Sequence, residues 1–155
     1  MLGNRLKNIL AVITDESQSA FVLGRLISDN GLVAFETMHS IDQKRKRKEA
    51  FMAIKLDMSK TYDRVEWAYL KAMMRRMGFN ERWISLILMC VSTVEYLVLI
   101  NGEAKSKIIL TRGLRQRDPI SPYLFLLCAE GLSAMIKKEE RDGLLKGVAV
   151  SRKAP

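Results

Sequence analysis

An apolar run, Ala53-Ile54-Lys55-Leu56, delivers an acidic residue, Asp57, to its end, and an aromatic follows within Met58-Ser59-Lys60-Thr61-Tyr62-Asp63-Arg64-Val65-Glu66-Trp67. A carboxylate at a strand end can hold a metal ion. One aspartate cannot run metal-assisted chemistry alone, so its partners have to come from elsewhere in the chain. Taken singly, Tyr62 also fits a core aromatic, and Asp57 or Asp63 a helix cap.

The segments around this run read in a definite order. Gln18 to Arg25 is a loop, and apolar residues from Ile27 to Ile41 recur at mostly helical spacing, predicting a helix over about Ile27 to Lys46. Five cations follow, Lys44-Arg45-Lys46-Arg47-Lys48, which suit the negative end of a helix dipole. Ala50 to Leu56 reads as a buried strand, and Arg64 to Met77 as a helix stopped by Gly78, with Asp63 as its cap. A further helix is predicted over Glu81 to Thr93, capped by Asn80, with Ile84, Leu86, Ile87, Leu88 and Val91 turned inward. Val94 to Asn101 and Ser106 to Leu110 form a hairpin about Asn101-Gly102. Asp118 at the N-cap and Pro119 in the first turn open a long helix over about Ile120 to Glu139, and a short strand is expected at Gly147 to Val150. The order is α+β with an antiparallel element, and it carries no Rossmann or P-loop fingerprint.

Composition narrows the partners. Lys and Arg number 26 against 17 Asp and Glu, a net charge of +9, and a chain this basic is drawn to polyanions, nucleic acid first among them. Cys90 and Cys128 stand alone in apolar segments, without the spacing of a zinc site, and read as reduced core residues. The longest apolar run, Ile84 to Val91, is far short of the roughly 20 residues a spanning helix needs, so a soluble, intracellular protein without a membrane partner is expected.

Lys55-Leu56-Asp57-Met58-Ser59-Lys60-Thr61-Tyr62-Asp63-Arg64-Val65 and Gly113-Leu114-Arg115-Gln116-Arg117-Asp118-Pro119-Ile120-Ser121-Pro122-Tyr123-Leu124-Phe125 resemble the first and second palm motifs of reverse transcriptases, in the flavour of plant LINE-type, non-LTR retrotransposons. Gln18-Ser19-Ala20-Phe21-Val22-Leu23-Gly24-Arg25, with Asp29-Asn30, resembles the fingers segment of the same family. The resemblance implies a partial right-hand polymerase fold, with residues 1–50 fingers-like and 51–155 palm-like. It also implies an RNA template, a DNA primer, dNTPs and Mg2+ as partners and cofactor. By the same resemblance Asp57 is the catalytic metal ligand and the Met58 backbone carbonyl an extra one. Tyr62 lies under the incoming sugar, where it selects deoxynucleotides. Gln116 lies near the nucleotide and template base, and Arg25 meets a phosphate unless it forms a surface ion pair.

Three positions depart from the pattern. Arg117 replaces the glycine of the second motif, which is expected to crowd the nucleotide site or strain the loop. Leu23 stands in place of proline and Thr61 in place of alanine. The third palm motif, with its paired aspartates, is missing, as is the thumb. After Asp118 the acids are Glu130 in a predicted helix and Glu139, Glu140 and Asp142 in a charged cluster. The resulting expectation is a piece of an RNA-directed DNA polymerase that is inactive alone. A basic nucleic-acid-binding module and an inert retroelement remnant are the alternatives.

Overall fold

Leucines at helical spacing organise the core. In α1 (Leu2–Ile13) Leu6 and Leu10 are fully buried, with Leu2 and Ile13 packed beside them. The computed structural model describes residues 2–45 and 51–148. Leu70 and Met74 of α3 (Trp67–Arg76), Ile84 and Ile87 of α4 (Glu81–Ser92), and Leu124 and Leu127 of α5 (Ser121–Arg141) complete the buried cluster. Burying each such side chain stabilises the fold by roughly 1.5–3 kcal/mol, so these helices form the stable part of the molecule. Because α5 packs on both α1 and α3, and α3 on α4, the second motif's helix sits at the centre.

Local chemistry ends the helices where the sequence indicates. Gly78, at φ +82°, closes α3: its N–H donates to the Arg75 carbonyl at 3.0 Å, and the Phe79 N–H reaches the Met74 carbonyl at 3.1 Å. Asn80 caps α4 by accepting from the Arg82 N–H at 2.8 Å. In α4 Leu86 is 40% exposed rather than inward, because its neighbours Ile84 and Ile87 take the core-facing positions.

A hairpin follows, β1 (Glu95–Ile100) and β2 (Glu103–Ile109), antiparallel, with Ile100 opposite Glu103 and a register shift between Val98 and Leu99. Asn101 and Gly102 both have positive φ, the geometry of the two-residue turn that matches strand twist. β2 starts earlier than the predicted Ser106, and both strands are exposed along their whole length.

Several expectations are corrected. Residues 51–58 form no strand, and Met52, Ile54 and Leu56 are more than half exposed; a strand is held by its neighbours' hydrogen bonds, and among the described residues β1 and β2 pair only with each other. Ala50, the basic run beyond Arg45 and the end of the predicted strand at 147–150 lie outside the described residues; Gly147 and Val148 are not in a strand. The helix predicted from Arg64 begins at Trp67, with Glu66 at its N-cap position, and Asp63 lies in a 3-10 turn (Tyr62–Arg64) instead of capping it. Extended backbone at Val65 separates the two turns. Asp118 caps the turn ahead of α5 rather than α5 itself: its Oδ1 accepts from the Ile120 N–H at 3.0 Å, and the helix starts at Ser121 with Pro122 in its first turn. Cys90 is exposed; Cys128 is partly buried, and burial pushes its thiol up to about 12.

α1 has no counterpart in the sequence reading, which assigns no element before Gln18, although Leu2, Leu6 and Leu10 are spaced for one. The helix predicted from Ile27 is present as α2 (Ile27–Arg45), but Ile27, Leu32, Val33, Phe35 and Met38 are all exposed. Its apolar residues spread around the helix and do not gather into one stripe. Among the described residues no helix is long and apolar enough to cross a membrane.

Candidate functional site

The two motif loops dock backbone to backbone. The Gly113 N–H donates to the Val65 carbonyl and the Leu114 N–H to the Tyr62 carbonyl, each at 2.8 Å, while the Trp67 indole N–H donates to the Gly113 carbonyl at 2.7 Å. Gly113 permits this approach. Its φ is +93°, and a Cβ there would lie 3.2 Å from the Asp63 carbonyl oxygen and 3.3 Å from that of Tyr62. The Tyr62 ring stacks on Phe125 of α5 with centroids 5.4 Å apart, which fixes the 3-10 turn against the central helix. Burial there raises the Tyr62 phenol above its ordinary range.

Two grooves flank the junction. One, of about 570 Å³, is lined by Asp57, Met58, Arg64, Glu66, Tyr69 and Phe125 among others. The other, of about 620 Å³, is lined by Asp63, Tyr96, Ile108, Arg112, Arg115 and Gln116 among others. Arg112 bridges outward to Glu66 at 3.2 Å, with both side chains more than half exposed. Beyond Gln116 the chain passes through Arg117 at φ +66°, a left-handed conformation that costs a residue with a side chain about 1–2 kcal/mol.

Residues 1–150 match the family model of the reverse transcriptases, RNA-dependent DNA polymerases. The chain belongs to the reverse transcriptase family. It is similar to an uncharacterized mitochondrial protein of Arabidopsis thaliana, 46% identical over 59 residues, covering 38% of this chain and 48% of that one. It is also similar to the uncharacterized 149 kDa protein of transposon TX1 from Xenopus laevis, 29% identical over 142 residues, 92% of this chain and 11% of that protein. A third relative is a retrovirus-related Pol polyprotein from type-1 retrotransposable element R2 of Popillia japonica, 24% identical over 102 residues, 66% of this chain and 17% of the polyprotein. These relatives fit the non-LTR retrotransposon resemblance of the motifs, and the Arabidopsis match its plant flavour. The chain spans about half of the Arabidopsis protein and less than a fifth of the other two.

Within this reverse transcriptase domain, the residues singled out from the motifs fall in separate places. Asp57 and Met58 share the first groove; Gln116 lines the second. Tyr62 is half-buried beneath the junction. Arg25 is in neither groove and, among the described residues, in no ion pair with a carboxylate: its guanidinium donates to the backbone carbonyls of Asp15, Gln18 at 2.6 Å and Ala11 at 3.3 Å, closing the end of α1. The Met58 carbonyl already accepts the Thr61 hydroxyl at 2.7 Å.

The side chains present do not fit a magnesium pair. Asp57 is exposed, the other acid of its groove, Glu66, is held by Arg112, and Arg64 lines the same groove. Among the described residues no three His, Cys, Asp or Glu side chains group to hold a metal ion. Gly113, Trp67 and Arg112 are the residues that motif reading passes over. Gly113, at the head of the second motif and next to Leu114, is their one sequence signal.

Proposed function

We propose that this chain is a fingers-and-palm portion of a retrotransposon reverse transcriptase. The family reaction is RNA-directed DNA synthesis, and the chain does not perform it unaided. The observation that carries this reading is the junction at Gly113, which joins the two motif loops, while among the described residues no cluster of ligating side chains gathers around Asp57. In the full reaction, Tyr62 would set one wall of the sugar site and Gln116 would read the nucleotide or template base. Asp57 would need acids from outside the described residues before a metal pair could activate a primer hydroxyl. A primed RNA template, labelled dNTPs and Mg2+ or Mn2+ test this. No incorporation is expected, and incorporation that Asp57→Asn abolishes would overturn the reading.

A second reading has its own support. The exposed Arg112, Arg115 and Arg117 lie in or beside a groove that also contains the partly exposed Tyr96, a combination suited to holding a single strand without chemistry. Affinity for an RNA oligonucleotide that falls steeply with salt supports it. Binding that Arg112→Ala and Arg115→Ala leave unchanged would count against it.

A further inference from the structure

Thr61 begins the 3-10 turn after Asp57, in helical backbone geometry, directly behind Lys60 at φ +53°. That left-handed step folds the chain back, and the Thr61 hydroxyl meets the Met58 carbonyl at 2.7 Å, the ordinary length of an O–H donor bond. Alanine has no atom to make this contact. The hydrogen on Thr61 Oγ1 takes one of the carbonyl's two lone pairs and presents positive charge at the oxygen where a cation would have to come. Arg64 lines the same groove, and Glu66 there is already engaged with Arg112.

We propose that Thr61 is a positioning residue that closes the Asp57 loop on itself through the Met58 carbonyl, so that this loop disfavours a divalent cation. The proposal rests on the family reading above, which makes that carbonyl a ligand, and assigns to Thr61 part of the misfit with the metal pair.

The test uses the whole chain and Mn2+ alone, with free Mn2+ followed by electron paramagnetic resonance. Thr61→Ala and the near-isosteric Thr61→Val are each expected to tighten Mn2+ binding about fivefold, the scale of one net hydrogen bond. Thr61→Ser, which restores the hydroxyl, is expected to match the wild type, and Asp57→Asn on the Thr61→Ala background to remove the gain. Circular dichroism melts check that every variant is folded, and Thr61→Val supplies the answer if the alanine variant is not. Unchanged binding in the hydroxyl-free variants, a serine variant that behaves like alanine, or a gain that survives Asp57→Asn overturns the proposal. Failure here is distinct from failure of the family reading. A wild-type chain that incorporates dNTPs removes the reading of inactivity, whereas unchanged Mn2+ binding in a chain without incorporation removes the role of Thr61 alone.

Discussion

At Gly113 one hydrogen in place of a Cβ decides whether the two motif loops can meet. Gly113→Ala would press a methyl group onto the backbone of Asp63 and Tyr62 at 3.2–3.3 Å and force a side chain into φ +93°. Backbone cannot yield as a flexible side chain can, so a loss of about 1–3 kcal/mol is expected in urea unfolding. Arg117 presents the opposite case, a long side chain held at φ +66°, a conformation that glycine adopts without strain. Arg117→Gly relieves about 1–2 kcal/mol of strain and returns part of it as unfolded-chain entropy. A net gain of about 0.5–1 kcal/mol is therefore expected, measured as a higher urea midpoint at unchanged slope. An unchanged or lower midpoint would show that other contacts of the Arg117 side chain offset the strain.

Among the elements, the joint between α1 and α5 is set by charge. The Asp15 side chain, 7% exposed, accepts from Lys137 of α5 and from the Ser17 N–H at 2.9 Å. The Asp15 N–H donates to Glu130 Oε2 at 3.0 Å, and among the described residues the buried Glu130 Oε1 has no hydrogen-bond partner. Lys137 foremost, with Ser17, holds Asp15 down from 3.8 to about 2. A depressed carboxyl stabilises the fold above its unfolded value, and that contribution fades as pH falls from about 3.8 towards 2. Burial raises Glu130, against the pull of the Asp15 N–H, Lys137 and Arg25, so its charged form opposes folding as pH rises past its usual range. Asp15→Asn is thus expected to flatten the acid limb of a urea-midpoint profile, and Glu130→Gln to raise the midpoint at pH 7. A steeper acid limb in the first or a lower midpoint in the second would contradict this assignment. The Asp15–Lys137 and Asp15–Glu130 bonds were not legible in the sequence, because they link residues far apart in the chain. The capped α4, the Asn101-Gly102 hairpin and the Gly78 stop were legible, since each rests on chemistry within a few residues. Residues 51–56 of the expected strand misled because strand formation depends on neighbours that local composition does not report. At the candidate site, the motif order was legible from residue types. The docking of Gly113 on Tyr62 and Val65, and the capture of Arg25 by carbonyls, use backbone atoms common to every residue and leave no compositional trace.

For the molecule as a whole, two surface properties pull in opposite directions with salt. The net charge of +9 makes copies repel one another and attracts polyanions, and both effects are screened within about 8–10 Å at physiological ionic strength. The apolar surface is salt-tolerant: Leu97 and Leu99 on the hairpin and Ile54 and Leu56 before the site are more than 60% exposed, and among the described residues no third strand pairs with β1 or β2. Unpaired edges flanked by apolar side chains template association with other chains. Raising salt should therefore weaken RNA binding while strengthening self-association, and sedimentation velocity with parallel RNA titrations between 50 mM and 500 mM NaCl reads both at once. Leu99→Lys, opposite the small Ala104 across the hairpin, should reduce the association at every salt concentration and leave the RNA salt slope unchanged. If both processes instead weakened together with salt, the self-association would be electrostatic, and the exposed strands would not be its cause.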